Sequence, residues 1–142
     1  MTDRTDEMDF CMKSKKFVLC VDGVYVKDGK ILLLKRNVEP FKGFWHLVGG
    51  HVEENESLKE AVKREFKEET GLDVTVGGII DGRIEVTFDR IKIIVAFEVT
   101  SAEGEIRLNS ENEAYGWFDE IPCGSVYNYA KYLPNESPNS NE

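Results

Sequence analysis

Basic residues are scarce in this chain. Its 142 residues carry 18 Lys and Arg against 27 Asp and Glu, a formal net charge of −9. Polyanions are held mainly by Lys and Arg, so no general nucleic-acid binding is expected. A small phosphorylated ligand is still admissible, provided something cationic is recruited to receive it. Long apolar runs are also missing. The longest, Ile31–Leu34 and Ile93–Phe97, are far too short to cross a bilayer, so no membrane association is expected. The first ten residues carry Asp3, Asp6, Glu7 and Asp9 where a secretory signal would need an apolar segment, and a cytoplasmic location is expected. Cysteine is rare as well: Cys11, Cys20 and Cys123 are odd in number, far apart and form no C-x-x-C pair. They read as reduced thiols and not as a disulfide framework or a zinc site. With His46 and His51 the sole histidines, a Cys/His metal site has no ligand set, and oxygen ligands remain.

What is present is globular. A hydrophobic fraction of 41% over this length supports one domain with a sizeable core. The expected organisation is a flexible acidic extension over 1–14, a single domain over 15–133 and a disordered polar tail over 134–142 (P-N-E-S-P-N-S-N-E). Phe17–Val26 is rich in β-branched and aromatic residues, and Lys30–Arg36 is a second apolar run. Asp28-Gly29 stands between them where a two-residue type I′ turn needs it, which predicts a hairpin. A short strand is predicted at Trp45–Val48, leading to Gly49-Gly50. Further strands are predicted at Asp73–Ile80, Arg83–Phe88 and Ile91–Val99, the last buried on both faces. Cys123–Leu133 reads as a closing helix packed through Val126, Tyr129, Ala130 and Leu133. The sum is a mixed α/β domain.

The helix between these strands carries the chemistry. Ser57 and Glu60 form an S-x-x-E capping box, and Gly71 supplies the C-cap. At about 100° per residue, Glu65 and Glu69 fall within about 20° of Leu58, inside the stripe that also holds Ala61 and Val62, and Glu68 lies at its rim. Lys59, Lys63, Lys67 and Glu60 make the solvent face. Unpaired like charges pointed at the protein body would be costly, so a compensating cation is expected. Carboxylates converging over one helical turn suit Mg²⁺ or Mn²⁺. A salt-bridge network is the plainer alternative. Arg64 can reach Glu60 or Glu68 and reads as a residue that orients a carboxylate.

From Gly50 to Leu72 the chain reads G-H-V-E-E-N-E-S-L-K-E-A-V-K-R-E-F-K-E-E-T-G-L. This resembles the Nudix box, G-x5-E-x7-R-E-U-x-E-E-x-G-U with U a bulky apolar residue. Gly50, Glu56, Arg64, Glu65, Phe66, Glu68, Glu69, Gly71 and Leu72 fill every fixed position. Gly29–Arg36, Lys42–Trp45 and Trp117–Pro122 are similar to the family too, so the resemblance spans roughly Phe17 to Leu133. It implies an α/β/α sandwich with a mixed central sheet and a loop-helix-loop metal site. It also implies a metal-dependent hydrolase cleaving a nucleoside diphosphate linked to some moiety X. The metal ligands implied are Gly50, Glu65, Glu68 and Glu69, with Mg²⁺ or Mn²⁺ as cofactor. Arg64, Glu65 and Glu69 are catalytic candidates, joined by Glu111 and Glu113 in the loop before Trp117, a segment that also reads as a plain polar turn. Glu53 is a second acid near the box that reads equally well as solvent-exposed. Lys35 and Arg36 are candidates for phosphate, and Phe44, Trp45, Phe88 and Trp117 for stacking on a base, although each aromatic is equally a core residue.

The identity of X is thinly encoded. The proline that ADP-ribose hydrolases of the family carry beyond the box is missing between Leu72 and Ile121, and so are the NADH-type tail and the coenzyme A-type arginines. His46-Leu47-Val48 stands where many relatives have a Leu-Pro or Phe-Pro. A MutT-like (d)NTP pyrophosphatase is therefore the first expectation, and an ADP-ribose or nucleotide-sugar pyrophosphatase the second. A non-catalytic nucleotide-sensing domain is the alternative of another class, against which the complete box stands. A small nucleotide is the partner implied, and the resemblance allows a homodimer.

Overall fold

A computed structural model of the chain describes residues 15–134. The acidic extension, the tail after Pro134 and Cys11 lie outside the described residues. Strand β1 (Lys16–Lys27) and strand β2 (Lys30–Arg36) form the expected hairpin, with Lys27 opposite Lys30. Asp28 (φ 54°) and Gly29 (φ 78°) both adopt the left-handed conformation a type I′ turn requires.

Both strands are buried on both sides, and their side chains alternate between two cores. Leu32 and Leu34 enter one cluster with Val21 and Tyr25, while Ile31 and Leu33 enter the other with Val24. The sheet order is β3-β2-β1-β6-β5, with β4 (Val48–His51) paired to β1 and β7 (Asn112–Phe118) paired to β2. Here β3 is Trp45–His46, β5 is Asp73–Val86 and β6 is Arg90–Glu103. Strands β1 and β6 run parallel and every other pair is antiparallel, so the sheet is mixed.

Helix α1 (Leu58–Thr70) covers the first cluster. Its start carries the complete capping box: the Glu60 amide donates to Ser57 Oγ at 3.1 Å, and the Ser57 amide to Glu60 Oε1 at 2.8 Å. Gly71 closes it at φ 78°, donating its amide to Lys67 O at 3.0 Å. Ala61, Val62 and Phe66 are fully buried against the sheet. A ring the size of Phe66 contributes about 1.5–3 kcal/mol on burial. The space it occupies exists because Gly23 has no side chain: a Cβ there would meet Phe66 Cε2 at 2.4 Å.

The opposite layer is shorter than expected. In place of a helix over Cys123–Leu133 there is a single 3-10 turn, Tyr129–Tyr132, whose Tyr129 is buried with Leu133 against Val24, Ile31, Leu33, Leu47 and Ala96. The backbone upstream is engaged elsewhere. Trp45 donates to Gly124 O and accepts from the Val126 amide, both at 2.9 Å, and Gly124 is left-handed at φ 83°. Those groups are unavailable to a helical ladder, and Val126 is left exposed. With α1 on one side and this turn on the other, the layering is that of an α/β/α sandwich.

Two strand boundaries also differ. The segments expected at Asp73–Ile80 and Arg83–Phe88 merge into one strand that ends at Val86, since Asp81 and Gly82 pair with Ala96 and Val95 instead of breaking it. Register shifts fall on either side of Gly77-Gly78, which marks β-bulges. Trp45–Val48 is split at Leu47, where the chain leaves β2 and joins β1. Strand β6 buries Ile91, Ile94, Ala96, Phe97 and Val99, as its apolar density requires. Among the described residues no helix is long and apolar enough to cross a membrane.

Candidate active site

The α1 stripe places its carboxylates as helical geometry demands. Glu69 is buried, the Glu65 side chain is 13% exposed, and the Glu68 side chain, at the rim, is 56% exposed. Glu65 lies directly against strand β4. A Cβ on Gly50 would come within 2.3 Å of Glu65 Oε2, so only glycine admits the carboxylate here. Gly50 sits inside β4 opposite Val21, where it serves this close approach. Burial raises the Glu69 carboxyl well above the usual range, and the hydrogen-bonded Glu65 and the charge of Glu111 raise it further, against a hydrogen bond from the Gly49 amide. Two carboxyls this close cannot both ionise without a compensating positive charge.

Arg64 organises the surrounding acids. It grips Glu56 through two bonds, Nε to Oε2 at 2.6 Å and Nη2 to Oε1 at 3.1 Å. It also donates to Glu65 Oε2 at 3.0 Å, Glu68 Oε1 at 3.4 Å and His51 O at 2.9 Å. Hydrogen bonding to Arg64 holds the Glu56 carboxyl below the usual range, while the Glu56 bond, outweighing burial, raises the guanidinium. Glu56 in turn accepts from the Glu53 amide at 2.9 Å, tying the loop before the helix to the same guanidinium. Arg64 does not pair with Glu60, whose carboxylate is committed to the Ser57 amide. Glu53 is mostly exposed.

The donor set fits a hard divalent cation. It offers two apposed carboxylates, a third at the rim, and glycine backbone alongside, all oxygen ligands. It is not a ready-made cage: among the described residues no group of three acidic, His or Cys side chains is placed to hold a metal ion, and Glu65 and Glu68 both face Arg64. The Glu65–Glu69 pair is the nucleus of the site.

A cleft of about 450 Å³ opens beside Gly49 and Gly50. Cys20, Asp22, Arg83, Glu85, Lys92 and Ile94 line its strand side, and Arg36, Pro40 and Phe41 its rim. Asp22 and Arg83 approach at 3.5 Å, and Arg83 is held by Glu85 at 3.2 Å with its guanidinium 4.0 Å from the Tyr127 ring centroid. Burial pushes the Asp22 carboxyl up to about 6, against the pull of Arg83. Burial would lower Arg83, but Asp22 and Glu85 outweigh it and leave the guanidinium raised.

The residues singled out from sequence divide into three groups. Gly50, Arg64, Glu65, Glu68 and Glu69 come together, and Glu111 is near enough for its charge to act on Glu69. Arg36 reaches the cleft, its Nε bonded to Pro40 O at 2.7 Å. Lys35, Phe44 and Trp45 do not line it: Lys35 pairs with Glu113 at 3.7 Å, Phe44 packs on Phe41, and Trp45 packs edge-on against Phe118. Trp117 packs against Tyr25. Phe88 is almost wholly exposed and away from the cleft. Of the Asn109–Glu113 segment, Ser110 and Glu111 form a polar turn, while Asn112 and Glu113 open β7, with Asn112 buried and bonded to His46 Nε2 at 2.8 Å. Burial pulls His46 below its ordinary value, opposing its bonds to Leu47 and Asn112.

Asp22, Arg83, Glu85 and Phe41 were not anticipated from sequence. Asp22 carried a legible signal, an acid set between Val21 and Gly23 in an otherwise apolar strand.

Known proteins share both the fold and the box. The NUDIX domain profile matches residues 16–128. CTP pyrophosphohydrolase of Escherichia coli is 33% identical over 103 residues, covering 72% of this chain and 76% of that protein. ADP-ribose pyrophosphatase of Methanocaldococcus jannaschii is 59% identical over 54 residues, 38% of this chain and 32% of the relative, so this match spans about a third of that protein's length. The crystal structure of a MutT NUDIX hydrolase from Burkholderia pseudomallei superposes with a TM-score of 0.74 at 28% identity, over 80% of this chain and 92% of that one. With a profile spanning most of its length and a relative 33% identical over 72% of it, the chain belongs to the Nudix family of hydrolases, which act on phosphoric anhydride bonds.

Proposed function

We propose that this protein is a divalent-metal-dependent pyrophosphohydrolase of nucleoside triphosphates, ribo or deoxy. The observation that carries the reading is the Glu65–Glu69 pair pressed against Gly50, with the cleft opening beside the same glycines. Gly50 and the carboxylates of Glu65, Glu68 and Glu69 would hold Mg²⁺ or Mn²⁺, which when bound neutralises phosphate oxygens and activates water. The chain's own residues do the rest. Arg64 fixes Glu65 through a charge-assisted bond and draws Glu68 toward it with a longer contact, so that Glu65 does not have to be ordered when substrate arrives. Glu65, Glu69 and Glu111 are the candidates to take the proton of the attacking water, and Glu111 is the one outside the helix. Glu113 is a weaker candidate because Lys35 engages it. Arg36 at the rim and Lys92 at the wall supply positive charge for a polyphosphate in an otherwise acidic protein.

The CTP pyrophosphohydrolase match, which covers most of both chains, supports a triphosphate over other forms of X. A second reading, ADP-ribose hydrolysis, rests on the 59% identity to the archaeal relative over a shorter stretch. Incubation with Mg²⁺ and a panel of (d)NTPs, ADP-ribose, dinucleoside polyphosphates and nucleotide sugars, with product identification, separates the two. Release of nucleoside monophosphate and pyrophosphate from a triphosphate is the expected result. Turnover of ADP-ribose alone replaces it with the second reading. Nucleotide binding without turnover would instead make the protein a sensor.

A further inference from the structure

Outside the acidic box, a second concentration of charge lies in the cleft, and it has a definite shape. Asp22 is on β1, pinned between β4 and β6 by its pairing with Gly49 and with Ala96. Arg83 is on β5, opposite Ile94. Both side chains are about 15% exposed, at 16% and 14%. Their contact at 3.5 Å is longer than a charge-assisted hydrogen bond, so each keeps bonding capacity for a third party. Arg83 is fixed by Glu85 and by the Tyr127 ring, which holds the guanidinium plane. The cleft wall therefore presents a rigid acceptor next to a rigid donor, with Ile94 providing apolar surface beside them.

At the Asp22–Arg83 pair itself a phosphate would meet the Asp22 carboxylate, and its charge is better received by Arg36 and Lys92, which line the same cleft. A sugar hydroxyl both donates and accepts, so it would not distinguish the two groups. An edge with an N–H donor beside a carbonyl or ring-nitrogen acceptor matches both at once, and that is the chemistry of a nucleobase. The cleft also borders the Gly49-Gly50 segment: a Cβ on Gly49 would come within 2.5 Å of Asp22 Oδ1, while one on the next residue, Gly50, would meet Glu65, so the cleft and the acidic pair lie against neighbouring residues of β4. About 450 Å³ is room for a base with its ribose.

We infer that Asp22 and Arg83 are the specificity-determining pair of this protein, reading the hydrogen-bonding edge of the nucleobase in the cleft. The inference rests on the nucleotide reading above and adds the residues that choose among nucleotides. Cytidine and uridine nucleotides test it directly, since they share sugar, phosphates and ring size and differ in that edge. In Asp22→Asn and Arg83→Gln the ratio of kcat/KM for CTP over UTP is expected to shift by about tenfold or more from wild type. The KM values should carry most of the change. Arg83→Lys keeps the charge but loses the flat fork, and should shift the ratio in the same direction as Arg83→Gln. Thermal melting identifies any variant that fails to fold, and each of the three substitutions reports on the pair by itself.

A ratio within about threefold of wild type in every folded variant overturns the inference, whether overall activity falls or not, because a merely structural pair would depress both substrates alike. If wild type hydrolyses neither triphosphate, the enzymatic reading fails separately. Calorimetric titration with CMP and UMP then decides: a changed ratio of affinities in Asp22→Asn supports the pair, and an unchanged ratio or no binding to wild type overturns it.

Discussion

Replacing Gly50 by alanine isolates what the close approach of Glu65 is for. The added Cβ would lie 2.3 Å from Glu65 Oε2 and 2.6 Å from its Cδ, against 3.4 Å for ordinary contact. The carboxylate must therefore withdraw by about 1 Å, and the side chain has rotamers with which to do so. Gly50 is not among the left-handed glycines, so alanine adds no backbone strain. The cost should fall on geometry and not on folding. A misplacement of about 1 Å at a catalytic group is worth about 100-fold in rate, close to 2.7 kcal/mol of barrier. The assay is Mg²⁺-dependent release of pyrophosphate from the best nucleotide of the panel, run beside a circular-dichroism melt. Activity within about threefold of wild type would show that the Gly50–Glu65 contact is incidental, and a collapsed melt would show that it is structural. Gly23→Ala provides the opposite pattern. Its Cβ meets a buried ring edge at 2.4 Å, so about 1–3 kcal/mol of stability should be lost while a folded fraction keeps its turnover.

Glu69→Gln should abolish Mg²⁺-dependent turnover, remove any rise in melting temperature caused by Mg²⁺, and leave the metal-free melt unchanged or higher, since one of two apposed buried carboxyls loses its charge. A lower metal-free melt would make Glu69 structural. Arg64→Lys keeps one charge but cannot hold Glu56 by two bonds while also reaching Glu65, Glu68 and His51. Turnover should fall about 10- to 100-fold with KM nearly constant, and loss confined to KM would point to substrate contact instead. Asp22 gives a pH signature. Its folded carboxyl lies near 6 against an ordinary 3.8, because burial disfavours the charge despite Arg83 on β5 and Lys92 on β6, with Glu85 adding to the rise. Below about pH 4 both folded and unfolded states are protonated and there is no penalty. As pH climbs past 6 the folded state must hold the charge, at about 3 kcal/mol. Asp22→Asn should thus gain about that much relative to wild type between pH 4 and 8 in urea unfolding. A gap independent of pH refutes the shift.

The sequence made the helix and its chemistry readable because local rules govern them. Ser57, Glu60 and Gly71 fix its ends, and helical spacing alone places Glu65 and Glu69 inward. The Asp28-Gly29 hairpin is readable for the same reason. The cleft was not, since Asp22 and Arg83 are separated by about half of the domain and meet only because β1 and β5 both flank β6. Sequence spacing carries no record of that adjacency. The break expected between Ile80 and Arg83 falls on Asp81-Gly82, residues that disfavour strands locally, yet pairing with β6 overrides that preference. The C-terminal segment failed as a helix through competition for backbone groups by Trp45, a residue far upstream. Phe44 and Trp45 were plausible base-stackers by type, and their neighbours Phe41 and Phe118 decided otherwise.

Strand β1 has a consequence for how such a protein can diversify. Val21, Gly23 and Tyr25 carry the helix, while Asp22, between them, looks into the cleft. Cutting and choosing are thus assigned to alternate residues of one ribbon, back to back. Exchanging Asp22 would retune which ligand is admitted without disturbing the seat of the helix. Inserting one residue upstream of it would do the reverse of fine adjustment, turning the ribbon over and exchanging the two roles along its length.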